Sequence, residues 1–304
     1  MAKPRELRRR IKSVENTRQI TKTMEMVATS RLKRAQDRVR AARPYAEALT
    51  EVISNLYSPE LTDLFPLLRQ PRGDPSRVAL ILITSNRGLC GAFNGNLIRK
   101  AKERLSQYGV RGVPVELHGI GRKGIGYFKY VGHDLASERD DIGDRPKAHH
   151  AAEVMEPLME RFQTGELDAV EVIFAKFNSP LSTPPRLMPI LPVTPPSDSG
   201  ALRASEAAAA ERPLQRRTVN FLLKPSAEGI VGAILPLYVR NSMYRALAET
   251  AASEHGARRT AMKSATDNAG EMLDVLRRNY NRARQAVITQ ELAEIVGGAE
   301  ALKG

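Results

Sequence analysis

The sequence predicts an α/β protein, a small parallel-sheet domain bracketed by two very long terminal helices that pair as an antiparallel coiled coil. Three observations predict it. Apolar and small residues recur at alternating steps of four and three from Leu7 to Leu56, the heptad signature of a paired helix. Strand-like and helix-like segments then alternate between about residues 76 and 177, as they do when helical crossovers join parallel strands. From Ser226 to Val296 the chain is helix-compatible almost throughout, and a helix that long cannot bury its seam alone.

The first helix is assigned to residues 1–57. Its seam runs Leu7, Ile11, Val14, Arg18, Thr21, Glu25, Ala28, Leu32, Ala35, Val39, Ala42, Ala46, Leu49, Ile53 and Leu56. The polar stretch at Arg18, Thr21 and Glu25 demands looser pairing or a polar partner. Ala28, Ala35, Ala42 and Ala46 let a second helix approach closely, and Pro44 predicts a local kink. Unbroken, residues 4–57 would span roughly 80 Å, more than a globular domain needs.

A linker at 58–75 leads to a Rossmann-like domain assigned to 76–225. Its first strand, RVALILIT at 77–84, is continuously apolar, which predicts burial on both faces. The glycine-rich SNRGLCGAFNGN then feeds a helix over 94–108. A second strand at 113–118 is followed by the helix that GIGRKGIGYFKYV opens. The polar VGHDLASERDDIGDRP reads as no strand, 146–164 as a helix, and 169–177 as a third strand. A Pro/Ser/Ala-rich stretch follows, with a short strand at 187–193 and an excursion at about 194–213. A last strand candidate, 216–223, stops at Pro225. The C-terminal helix, 226–304, carries a small-apolar stripe of Met262, Ala265, Ala269, Met272, Leu276, Ala283 and Val287. Pro236 and Gly256 predict bends, and Gly297-Gly298 a stop.

Composition narrows the function classes. With 42% hydrophobic and 27% charged residues the chain affords a core, and no run approaches the roughly 18 apolar residues of a membrane span. The basic N-terminus lacks the apolar segment of a secretory signal. A single cysteine, Cys90, excludes an intrachain disulfide and any cysteine-paired zinc site. The net charge of +13 is concentrated at one end, because residues 1–43 hold fourteen Lys and Arg against four acids. Such a stripe calls for an anionic partner: nucleic acid, an acidic protein surface or lipid headgroups. It lacks the interleaved aromatics of a nucleic-acid surface, and part of it must pack against protein.

Gly119, Gly121 and Gly124 spell G-x-G-x-x-G, the wording of a dinucleotide-binding turn. A true fingerprint needs a following strand that ends in an acid about twenty residues on. The polar segment after it supplies no such strand, so the glycines are read as a tight turn and a close helix–strand contact. SNRGLCGAFNGN lacks the Lys-Ser or Lys-Thr of a phosphate-binding loop. Cys90 has no histidine beside it in sequence and is read as a small buried thiol. The five histidines show no metal spacing, and His149 and His150 are read as diverging surface residues. No catalytic constellation is legible, and no cofactor or metal is expected.

Four stretches carry a family resemblance: ELRRRIKSVENTRQITKTMEMVATSRLKRAQ, ITSNRGLCGAFNGN, ASEHGARRTAMKSATDNAGEML and YNRARQAVITQELAEIVGGAEAL. In order, and over nearly the whole chain, they resemble the gamma subunit of the F-type ATP synthase of bacteria. The resemblance implies a non-catalytic central rotor shaft. Its coiled coil would turn inside a ring of three alpha and three beta subunits, whose beta subunits hold the nucleotide sites. Rotation of a c-ring driven by proton flow would be coupled to ATP synthesis or hydrolysis there. One copy per complex is implied, with an epsilon subunit as a further partner and no nucleic acid. The implied location is the cytoplasmic side of the plasma membrane, touched only through the c-ring.

Residue by residue, Met24 matches the position facing the acidic lever loops of the beta subunits. Arg284, Gln285 and Thr289 match positions at the beta-subunit catch loops, with Arg258 and Glu291 on the same helix. Phe221 and Lys224 fall in the segment expected to meet the c-ring and epsilon. Lys224 departs from the family, which often carries Glu before that proline, so the charge is reversed there. The regulatory dithiol of chloroplast members is absent, because Cys90 stands alone.

Overall fold

The computed structural model of the chain describes residues 4–56, 64–71, 73–194 and 227–301. The elements are α1 (Pro4–Leu56), a short 3-10 turn (Pro66–Leu68), β1 (Val78–Ile83), α2 (Phe93–Val110), β2 (Val115–Ile120) and α3 (Arg122–Tyr130). They continue with β3 (Ser137–Arg139), α4 (Ala148–Gln163), β4 (Ala169–Ala175), β5 (Pro185–Leu191) and α5 (Ala227–Ala301). The strand candidate at 216–223, Phe221, Lys224 and nearly all of the 194–213 excursion lie outside the described residues.

Two compact units emerge: Met1–Ser30 with Arg258–Gly304, and Arg31–Ala257. The second holds a five-stranded sheet in the order β3-β2-β1-β4-β5. β3, β2, β1 and β4 are mutually parallel, while β5 returns antiparallel to β4. β1 is buried along its whole length, as its unbroken apolar run predicts. One face packs Leu80, Leu82, Leu117, Ile173 and Ala175 against Phe93, Leu97 and Ala101 of α2 and Phe128 of α3. The other packs Ile81, Ile83, Val170, Val172 and Phe174 against Met155, Leu158 and Phe162 of α4. On that face too lie Leu235, Val239, Met243 and Leu247 of α5. A long-helix segment therefore serves as one covering layer of the sheet.

Four expectations need correction here. The polar segment after α3 does contain a strand, β3, because three residues suffice to hydrogen-bond onto β2 at the sheet edge. Gly297-Gly298 does not stop α5, which continues to Ala301. The buried stripe of α5 takes Leu273, 2% exposed, in place of Met272, 55% exposed. A strict heptad of Met262, Thr266, Ala269 and Leu273 explains the shift, since the alternative stripe leaves the seam by one position. On α1 the seam behaves as its pattern requires, with Leu7, Thr21, Ala28, Leu32, Ala35, Val39, Leu49 and Ile53 buried. The two histidines do not diverge, for the rings of His149 and His150 meet edge to face 4.2 Å apart. His150 Nδ1 accepts the Lys147 amide at the start of α4.

His118 on β2 gives the fold a pH dependence. Its Nδ1 lies 2.7 Å from Ser137 Oγ, while its buried Nε2 has no hydrogen-bond partner among the described residues and lies 4.0 Å from Glu116 Oε2. Burial holds the imidazole below its ordinary pKa; Glu116 opposes this and Arg161 adds to it. The unfolded chain then binds the proton more readily, so stability is fully present above about pH 6.5 and falls as pH drops below that value. Thermal melts at pH 7.5 and 5.5 check this, and a His118→Gln variant is expected to flatten the difference.

Candidate functional site: the glycine turn, the sheet crevice and the helix pair

Three places in the fold qualify as a site. The first is the glycine turn that opens α3. Gly121 adopts φ 96°, ψ 134°, a conformation that side chains rarely allow. A methyl group on it would overlap the Thr84 carbonyl and lie 2.8 Å from Thr84 Oγ1. One on Gly124 would fall 2.9 Å from the Thr84 side chain, and one on Gly119 2.8 Å from Ile125 Cγ1. The amides that would cradle a phosphate are already engaged. Arg122 N donates to Asn86 Oδ1 at 2.9 Å and Gly124 N to Thr84 Oγ1 at 2.9 Å, while Lys123 N donates to the Ser85 carbonyl. The chain's own loop after β1 occupies the anion position of this helix N-terminus.

That loop is the SNRGLCGAFN stretch, and it is internally braced. Ser85 N donates to Asn94 Oδ1 at 3.0 Å, and Asn94 Nδ2 donates to Ser85 Oγ at 2.8 Å. Cys90 is buried with its sulfur 3.2 Å from Asn94 Nδ2, which fits the structural reading of this thiol.

The second place is the crevice at the carboxyl ends of the parallel strands β1 and β4, from which the chain turns toward opposite edges of the sheet and where ligands of open α/β sheets usually bind. Here α5 fills the β4 side. Ala175 N donates to Thr250 Oγ1 at 3.3 Å, and Ser253 Oγ donates to the Ala175 carbonyl at 3.1 Å. Phe177 N donates to Glu249 Oε2, which Arg245 also engages through Glu249 Oε1 at 3.0 Å. Gly256 lies against Pro180, 3.2 Å from its Cα to an added methyl, which makes it a close-approach position. Buried Glu249, Thr250 and Ser253 are thus polar because the strand end they meet is polar.

The third place is the helix pair of the smaller unit. Glu15 meets Arg277 at 2.7 Å, Arg18 lies against Gly270, and Thr21 Oγ1 is 2.8 Å from Thr266 Oγ1. This order is antiparallel. The polar part of the α1 seam is therefore answered by a threonine, a glycine and an arginine on α5. Eleven residues separate Glu15 from Pro4, and eleven more from Arg277 lead to Ile288. Past that point α5 outruns the described part of α1.

The residues singled out from sequence distribute accordingly. Met24 and Arg258 are half-buried in this unit, whereas Arg284, Gln285, Thr289 and Glu291 are exposed on the overhanging end of α5. Gln285 and Thr289 share a face, since Thr289 Oγ1 donates to the Gln285 carbonyl at 2.9 Å. What the sequence reading missed on this end is an apolar stripe. Ile288, Leu292 and Ile295 follow one face at steps of four and three, flanked by Val287 and Val296, and all are exposed; Ile295 is 67% so. The signal that would have found it is length, for α5 has 75 residues against 53 in α1.

Comparison with known proteins adds the following. A family described as ATP synthase matches residues 3–302. The chain is similar to the ATP synthase gamma chain of Gemmatimonas aurantiaca, 58% identical over 304 residues and spanning all of both chains. It is 41% identical over 302 residues to the ATP synthase gamma chain of Leptospira biflexa, covering 99% of this chain and 100% of that one. Among solved structures it resembles a chain of the Tetrahymena thermophila mitochondrial ATP synthase central stalk and c-ring. There the TM-score is 0.56 at 25% identity, over 81% of this chain and 99% of that one. A chain of the Euglena gracilis mitochondrial ATP synthase, from OSCP/F1/c-ring in rotational state 3, shares the fold. Its TM-score is 0.66 at 20% identity, over 98% and 94% of the two chains.

Proposed function

This chain belongs to the ATP synthase gamma-chain family, and from that premise we propose that it has no catalytic site of its own. It is the central rotor subunit of the ATP synthase, coupling rotation to ATP synthesis or hydrolysis carried out on other subunits. One observation supports the mechanical reading best. The end of α5 is a helix with every described side chain exposed and an apolar stripe along it, which in water requires a cover. A sleeve of three alpha and three beta subunits around a single copy supplies that cover.

In this reading Met24 and its basic neighbours face acidic loops of the beta subunits, while Arg258, Arg284, Gln285, Thr289 and Glu291 meet the same subunits from α5. The asymmetric shaft favours one conformation of each beta subunit over the others as it turns, and that differential contact is all coupling requires. The functional division runs 1–57 and 226–304 for the shaft and 76–225 for the foot, joined by 58–75. The foot is turned by the c-ring, with epsilon bound to it and Phe221 and Lys224 at the c-ring side. The complex lies on the cytoplasmic face of the bacterial inner membrane. Consistent with a peripheral subunit, no described helix is long and apolar enough to cross a membrane.

The glycine turn takes no part in nucleotide chemistry in this reading, because Thr84, Ser85 and Asn86 engage its amides. Mixing the chain with purified alpha and beta subunits tests the proposal. A stable complex with one copy of this chain and ATPase activity is expected. Failure of alpha and beta to capture the chain overturns it.

A further inference from the structure

Asp144 lies on the loop between β3 and α4 and meets three residues far from it in sequence. Arg31 Nη1 of α1 is 2.6 Å from Asp144 Oδ2, and His255 Nε2 of α5 is 3.5 Å from the same oxygen. Arg38 Nη2, two turns along α1 from Arg31, donates to the Asp144 carbonyl at 3.1 Å. Arg31 is the first residue of the larger unit, and His255 lies two residues before its last, Ala257. The single loop therefore holds both long helices at the very margin of the α/β unit.

The loop itself is held firmly. Asn86, from the loop after β1, donates through Nδ2 to the Asp140 carbonyl at 2.8 Å, while its Oδ1 accepts the Arg122 amide at the glycine turn. Ile142 is buried in the core beneath. Arg139 ties Asp141 and Glu153 together at 2.7 and 2.6 Å, bracing the loop against α4. Asp144 thus projects from a fixed backbone, and little conformational freedom is lost when it engages the helices. Burial works to raise the Asp144 carboxyl's pKa, yet Arg31, His255 and Arg145 outweigh it and hold the carboxyl below its ordinary value.

We infer that Asp144 is a strap that fastens the foot to both shaft helices, fixing where along the helix pair twist can begin. This rests on the rotor reading for its purpose but not for its existence. Without the strap, α1 and α5 remain packed on the sheet through Ile53, Leu235, Val239 and Met243, and α5 keeps its Thr250 and Ser253 bonds to Ala175. Local opening is therefore confined to α1 around Arg31 and to the turn of α5 beyond Ser253. Asp144 acts as a positioning residue here, transmitting the stiffness of the foot to the helices.

Two variants of the full chain, D144A and R31A, test it by amide hydrogen exchange. D144A is expected to lower protection at least tenfold over residues 31–38 of α1 and 254–257 of α5, with 249–253 of α5, β1 and β4 unchanged. R31A is expected to do so over 31–38 alone. Unchanged protection at both helices in D144A overturns the strap, as does equal loss throughout the sheet. Should D144A fail to fold, R31A decides by whether 31–38 loosens without the rest. In the assembled complex, with the shaft arrested, the angular variance of a probe on the foot is expected to rise at least twofold in D144A. Unchanged variance overturns the mechanical role. Failure of the complex to assemble counts against the rotor reading instead, while exchange on the chain still decides the strap.

Discussion

Replacing Gly121 with alanine is expected to destabilise the chain by about 2–6 kcal/mol. Two costs combine. The backbone at φ 96° is one that a side chain enters only with strain of about 1–3 kcal/mol. The added methyl would also overlap the Thr84 carbonyl and crowd Thr84 Oγ1, and overpacking of this kind costs about 1–3 kcal/mol. Neither atom can step aside, because Thr84 N donates to the Ile120 carbonyl at 2.8 Å and Thr84 Oγ1 accepts from Gly124 N. Gly126, five residues on in the same helix, supplies the control. Nothing lies within 4 Å of a methyl there, so Gly126→Ala is expected to be neutral or to stabilise by up to about 1 kcal/mol through helix propensity. Denaturant midpoints of the two variants check the contrast. Equal effects at both positions would show that the turn is looser than its geometry states.

The same turn explains how a dinucleotide-like wording arises in a rotor subunit. G-x-G-x-x-G encodes close approach of a helix N-terminus to something. In a cofactor enzyme that something is a pyrophosphate; here it is Thr84 and the loop behind it. Thr84 Oγ1 stands at the anion position of Gly124 N, and Asn86 at that of Arg122 N. The motif reports the packing demand faithfully and the partner not at all.

Features set by local periodicity were legible: the α1 seam, the doubly buried β1, and the crossover helices. β3 was not, because a three-residue edge strand of Ser, Glu and Arg carries no apolar signal and exists only through its pairing with β2. The seam of α5 was misread at Met272 because Leu273, beside it, is equally apolar and only the partner helix decides between them. The strap was invisible for a different reason. Asp144 and Arg31 are 113 residues apart, and neither belongs to a pattern of spacing. The end of α5 was legible as helix, and its exposed stripe required knowing where α1 begins.

Long-range polar pairing also governs the second large effect, loss of Arg104. Arg104 on α2 holds Glu171 of β4 with both carboxylate oxygens engaged, Nε to Oε2 at 2.7 Å and Nη2 to Oε1. Nη2 also donates to Tyr108 Oη at 2.8 Å, and the guanidinium lies 4.3 Å from the Tyr108 ring centroid. Burial, reinforced by Glu171, pushes the Tyr108 hydroxyl pKa up to about 12, so Tyr108 stays neutral and offers the pair no charge. The two partners differ in their means of escape. The Glu171 side chain is 9% exposed on a strand with neighbours on both sides, whereas Arg104 is a long side chain on a surface helix. Arg104→Ala strands a carboxylate that has little access to water, and a cost of about 3–5 kcal/mol is expected. Glu171→Ala frees an arginine that can swing outward, so about 1–3 kcal/mol is expected there. An Arg104→Ala, Glu171→Ala double variant removes both charges and is expected to cost well under the sum of the single effects, giving a large coupling energy in the double-mutant cycle. Additive single effects would mean that the pair contributes packing alone. The asymmetry between the single variants is the sharper observable, since it follows from which partner the sheet confines.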